Sequence, residues 1–145
     1  QDSVELLAQK QEFLREKLRI KGVTYDWHDP ELSFLEAVFA RGDRRLGKVL
    51  LEAWKRGCKF DGWAECFNYS AWLEAFRASG IEPEFYANRP RDKEEVLPWA
   101  HIDVGVTTAF LRREYEKALR GELTPDCRGV CHGCGINRLE GGLCP

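Results

Sequence analysis

Four of the six cysteines in this 145-residue chain, Cys127, Cys131, Cys134 and Cys144, fall within its last 19 positions. The same stretch has five glycines, at 129, 133, 135, 141 and 142, which permit the tight turns that bring several sulfurs onto one centre. Across residues 122–145 the apolar residues Leu123, Val130, Ile136, Leu139 and Leu143 are too few to hold the segment by burial. The tail is therefore expected to be ordered by what its thiolates bind, since a thiol must ionise to ligate and the metal supplies that stabilisation. A secreted disulfide scaffold would spread its bridges through the chain. Here Cys58 and Cys66 lie far upstream and read as small core residues. The clustering points to a metal or iron–sulfur site in a reducing, cytoplasmic compartment.

Spacing narrows the centre without fixing it. Cys127-x3-Cys131-x2-Cys134 is the pattern by which radical S-adenosylmethionine enzymes hold a [4Fe–4S] cluster. In those enzymes most of the fold follows the motif, whereas only eleven residues follow Cys134. Cys144 can supply a fourth thiolate, closing the cluster and making it auxiliary or structural. Zinc is the alternative: Cys131-x2-Cys134-Gly resembles a zinc knuckle, and four sulfurs suit tetrahedral Zn²⁺. His132, between two ligand positions, is expected to point outward. Free thiols or disulfides are the third option, because spacing alone does not separate soft metals.

The first 121 residues read as mainly α-helical with one or two short strands. Residues 1–22 form a packing helix capped by Asp2 or Ser3, with Val4, Leu7, Gln11, Leu14 and Leu18 in one row, Leu6, Phe13 and Ile20 widening it, and Gly22 as its stop. Residues 23–121 form a mostly helical domain. Val23, Tyr25 and Trp27 alternate with polar residues as in a strand. Asp29-Pro30 starts a helix with Leu32, Leu35 and Phe39 on one face. Asp43 caps the next, carrying Leu46, Val49, Leu50, Ala53 and Trp54 to Gly57. Asn68 or Ser70 opens another through Trp72, Leu73 and Phe76 to Gly80, and Pro83 opens a short turn through Tyr86. Residues 87–100 form an extended connector. Thr107 or Thr108 caps a last helix with Leu111, Tyr115, Ala118 and Leu119, closed by Gly121. Residues 122–145 are the cysteine-rich tail.

Net charge is −2, which excludes a dominantly basic nucleic-acid binder, and no apolar run approaches the roughly 18 residues of a membrane span. Charge is nevertheless segregated: residues 41–59 hold seven basic and two acidic side chains, and residues 61–103 hold four and nine. A solvated face accounts for such blocks, and an RNA-facing patch of Arg41, Arg44, Arg45 and Lys48 is the functional alternative. His28 and His101 read as local hydrogen-bonding residues. Glu36, Arg41 and Asp43, around a helix–helix turn, are the candidates for a polar cluster facing a cofactor or another domain. No nucleophile–base pair and no phosphate-cradling glycine loop emerges.

Several stretches together carry a family resemblance: His28-Asp-Pro-Glu-Leu-Ser-Phe-Leu-Glu36, Phe39-Ala-Arg-Gly-Asp-Arg-Arg-Leu46, Phe60-Asp-Gly-Trp63, Trp99-Ala-His-Ile-Asp-Val-Gly105, and Phe110-Leu-Arg-Arg-Glu-Tyr-Glu-Lys-Ala-Leu119 running into Thr124-Pro-Asp-Cys127. Their order resembles the C-terminal part of bacterial radical S-adenosylmethionine proteins that carry an N-terminal cobalamin-binding domain, over nearly all of residues 20–135. The resemblance implies S-adenosylmethionine and cobalamin in the full-length protein, and upstream cobalamin and radical domains as the partners of this segment. Such a chain is expected to be a piece of a longer protein, in keeping with its start at Gln1 and its lack of methionine. By resemblance, residues 23–60 pack against or finish the absent barrel, with Ser33, Glu36, Arg41 and Asp43 nearest the active site as cofactor-binding residues. Detached from that barrel, Leu35, Phe39 and Trp54 are expected to expose apolar surface. The family usually places a further cysteine soon after its Cys-Gly pair; Gly135-Ile-Asn137 has none, which leaves Cys144 as the fourth-ligand candidate. The implied role of the tail is an auxiliary cluster, and the family's reaction is unassigned.

Overall fold

The computed structural model describes residues 1–138 as mainly α-helical. The chain divides into two compact units, Gln1–Pro90 and Arg91–Pro145.

In the first unit, side-chain caps set the helix starts. Ser3 caps α1 (Val4–Lys17) by accepting from the Leu6 amide. Asp29 accepts from Glu31 and Leu32 at the start of α2 (Pro30–Ala40), and Pro30 sits where its missing N–H costs nothing. Asp43 caps a 3₁₀ turn, Arg44–Leu46, that runs into α3 (Gly47–Lys55). Asn68 caps α4 (Tyr69–Ser79), which Gly80 closes in the left-handed conformation. A short α5 (Glu84–Ala87) follows Pro83. Helix α1 packs on α2, α2 on α5, and α3 on α4.

Their shared core is Phe34, Leu35, Val38, Leu46, Val49, Ala53, Cys58, Trp72, Ala75, Phe76 and Tyr86, with Phe39 edge-on to Trp72. Burial raises the pKa of the Cys58 thiol, in keeping with its place as a small core residue. Gly42 is required by close approach. A Cβ there would lie 2.9 Å from the Val38 carbonyl oxygen and would overlap the Leu46 side chain. Gly42→Ala is therefore expected to cost about 1–3 kcal/mol as an overpacking change, read by urea unfolding.

Several expectations are corrected. No strand occurs among the described residues: Val23–Trp27 is irregular, and Tyr25 stacks on Trp27 at 5.1 Å. Alternation alone does not make a strand where no second segment completes the hydrogen-bond ladder. The buried face of α2 is Phe34, Leu35 and Val38, so Leu35 is core rather than exposed, and Phe39 is half-buried. Leu50 is exposed instead of buried, and so are Leu6, Phe13 and Ile20 in and after α1, whereas Trp54 is exposed as expected. Cys66 is exposed, not a core residue.

An apolar surface results on the first unit, with Trp54 at 60%, Phe60 at 76% and Trp63 at 65% exposure. Phe60 holds φ +59, a conformation that costs a non-glycine residue about 1–2 kcal/mol.

The second unit is built differently. Its helix, α6 (Thr108–Leu119), is capped by the Thr107 hydroxyl and buries none of its residues. Ion pairs attach the preceding connector to it, Lys93 to Glu116 at 2.9 Å and Arg112 to Glu94 at 2.8 Å. Every buried apolar side chain among the described residues belongs to the first unit. No helix among them is long and apolar enough to cross a membrane.

Candidate metal centre

The cysteine loop runs back along α6 and is fastened to it at several points. Near Cys127, the Thr124 hydroxyl donates to Glu114, and Lys117 donates to Thr124 at 2.9 Å. The Thr124 hydroxyl, with Lys117 beside it, holds the Glu114 carboxyl below its ordinary pKa. Asp126 then accepts from the Arg128 amide at 2.7 Å, turning the chain after Cys127.

At the other end of α6, the Thr107 amide donates to the Cys134 carbonyl at 2.8 Å. Arg113 Nη2 donates to the His132 carbonyl at 2.6 Å. Gly135, at φ +107, packs so closely that a Cβ would meet the Gly105 carbonyl at 2.8 Å. Within the turn, the Gly133 amide points at the Cys131 sulfur with N···Sγ 3.5 Å, and Gly133 then turns the chain toward Cys134 at φ +68. Cys131 is exposed and Cys134 half-buried.

An amide donated to a cysteine sulfur from a Cys-x2-Cys-Gly turn is a feature a thiolate ligand uses, because it stabilises negative charge on sulfur. Cys131 and Cys134 thus fit a soft metal locally. Yet no three His, Cys, Asp or Glu side chains among the described residues group to hold a metal ion, so Cys127 is not gathered onto the knuckle. Cys144 lies outside the described residues.

The other predicted cluster is scattered into structural duties. Ser33 is half-buried and Glu36 exposed on α2. Arg41 donates to the carbonyls of Ala87 at 2.6 Å and Arg89 at 2.8 Å, satisfying backbone groups at the end of α5. Asp43 caps its 3₁₀ turn and takes a bidentate bond from Arg45, whose guanidinium also lies over the Tyr86 ring. Arg45 holds the Asp43 pKa down to about 2. A depressed folded-state carboxyl contributes stability above its unfolded value near 3.9 and loses it as pH falls toward about 2. Asp43→Ala is expected to cost about 1 kcal/mol at neutral pH, chiefly through the lost cap because the exposed Arg45 screens the ion pair. Thermal unfolding should show that gap closing between pH 4 and pH 2, a range set by the same ~3.9 and about 2.

Sequence reasoning missed Arg113, Thr107 and the Glu114–Thr124–Lys117 group as supports of the loop. No family model matches the chain, nor does any curated protein or solved structure.

Proposed function

We propose that the chain is the C-terminal portion of a cytoplasmic cobalamin-type radical S-adenosylmethionine enzyme of unassigned reaction, with an auxiliary [4Fe–4S] site in its tail. Cys127, Cys131 and Cys134 are the ligands in this reading and Cys144 the fourth. The observation that carries the metal site is the pairing of two facts. The unit holding the cysteines buries no apolar side chain among its described residues, yet its Cys-x2-Cys turn already aims an amide at a sulfur. A unit without an apolar core needs another source of order, and a bound metal or cluster supplies it. When bound, the cluster would supply electron transfer or substrate anchoring. Supporting the upstream domains as partners, Trp54, Phe60 and Trp63 present apolar surface that a further domain would cover.

Anaerobic reconstitution of the full chain, followed by iron, sulfide and zinc assay, tests the reading. Labile sulfide matching the iron content is expected. Stoichiometric zinc without sulfide would move the tail to the second reading, a zinc-stabilised module that binds RNA or a protein. Exposed Arg44 and Lys48 favour that alternative, while the engagement of Arg41 and Arg45 within the fold removes half of its predicted patch. RNA binding that weakens steeply with salt would support it.

A further inference from the structure

We propose that Arg113 is a positioning residue of the cysteine site: by holding the His132 carbonyl it orients and polarises the amide that Gly133 donates to the Cys131 sulfur. The inference rests on the metal-binding reading above.

Its basis is one peptide unit. The His132 carbonyl and the Gly133 N–H belong to the same planar amide and point in opposite directions. Arg113 takes the carbonyl end at 2.6 Å, and Cys131 Sγ takes the N–H end at 3.5 Å. Rotating that plane breaks both contacts together, so fixing one end fixes the other. The donor to the carbonyl is a guanidinium, so the bond is charge-assisted and draws electron density through the amide toward oxygen. The N–H at the far end becomes a better donor to sulfur, as in any hydrogen-bond chain in which each bond polarises the next.

Arg113 is itself braced. Its guanidinium lies 5.0 Å from the Phe110 ring centre one turn earlier, and its Nε is 3.7 Å from Glu114. Glu114 is tied in turn to Thr124 and Lys117. The rotamer that reaches His132 is therefore held from two sides on a regular helix. The Thr107 amide, at the N-cap of α6, holds the Cys134 carbonyl independently, so the Cys-x2-Cys turn is supported at its middle and at its end through different residues. A merely structural tie between loop and helix would give a different outcome, since the sulfur's amide would then be indifferent to the charge at position 113.

The test is an anaerobic Co²⁺ titration of the full reduced chain, read by the thiolate charge-transfer and d–d bands. Arg113→Ala is expected to weaken Co²⁺ binding about 10–100-fold, the range for losing an outer-shell partner. Arg113→Lys, which keeps a charged donor, should recover at least about half of that loss on a logarithmic scale. In the zinc-loaded protein the Gly133 amide proton should move upfield in Arg113→Ala, with Arg113→Lys between it and the wild type. Far-UV circular dichroism reports whether α6 is intact; if the alanine variant loses helix, the lysine variant alone decides, by its affinity and its Gly133 shift. Arg113→Ala binding within about twofold of wild type would overturn the inference and leave the metal reading standing, as would equal losses in both variants with α6 intact. A wild-type chain giving no thiolate–Co²⁺ spectrum would overturn this inference, and if reconstitution also yields neither iron with labile sulfide nor zinc, the metal reading falls with it.

Discussion

Joint replacement of Cys131 and Cys134 by serine is expected to abolish the proposed metal uptake and, with it, the amide protection of the second unit. Leu111, Tyr115, Leu119, Leu123 and Val130 are all exposed, Leu123 at 92%. Beyond the half-buried Leu97, Val106, Phe110 and Ile136, the cohesion among its described residues is ion pairs and hydrogen bonds at the surface, and exposed pairs contribute about 0–1 kcal/mol each. A structural site in small zinc modules contributes about 10–16 kcal/mol of apparent binding energy, most of it doubling as folding energy. Losing two thiolates removes most of that. Hydrogen exchange gives the clearest reading. The Thr107 amide, bonded to the Cys134 carbonyl, should exchange slowly in the metal-loaded wild type and at nearly unprotected rates in the double variant. Protection of α4 should be unchanged, because its core is its own unit's. Equal Thr107 exchange in wild type and variant would sink the prediction.

Phe76→Ala should be the most damaging single change in the first unit, at about 3–5 kcal/mol. Phe76 is 2% exposed, sits in the last turn of α4, and contacts Phe39 with ring centres 6.4 Å apart. Truncation removes the transfer energy of the ring and leaves a cavity that Val38 and Val49, themselves fully buried, cannot collapse to fill. For a domain of ordinary stability that is a large part of the total, of order 5–15 kcal/mol. Leu119→Ala, at a position exposed on α6, serves as the control and should stay within about 0.5 kcal/mol. Urea unfolding followed by tryptophan fluorescence distinguishes the two, since Trp72 shares the core with Phe76.

The positions that local chemistry decides were readable in advance. Asp29-Pro30, Asn68 and Thr107 open helices and Gly80 closes one, because capping needs only a side chain within three residues of the amide it serves. Leu46, Val49 and Ala53 were likewise legible as a buried stripe. Which flank of a helix continues into the core was not: Leu50 and Trp54 fit the same period, but α4 covers only part of α3. Val23 to Trp27 had the rhythm of a strand, and rhythm does not supply a neighbour. Of the candidate site, the cysteine spacing and its glycines were visible, because the Cys-x2-Cys turn is built within five residues. Arg113 was not, because it stands 19 positions from the carbonyl it holds. Arg41 looked chemical in sequence because its charge is conspicuous, but its partners are the carbonyls of Ala87 and Arg89, which only the folded chain brings to it, while Asp43 pairs locally with Arg45 two positions on.

That no apolar side chain among the described residues of the second unit is buried has a calorimetric consequence. Heat-capacity change and denaturant sensitivity both scale with the surface that unfolding uncovers, and apolar surface dominates the first. A unit in which Val96, Val104, Leu111, Leu119, Leu123 and Val130 already face solvent has little apolar surface left to uncover among its described residues. Its melting should therefore add almost nothing to the heat-capacity step and carry a shallow urea slope, while the first unit produces nearly all of the measured transition. The order of residues 105–138 would then be governed by chelator strength and redox state far more than by temperature or urea.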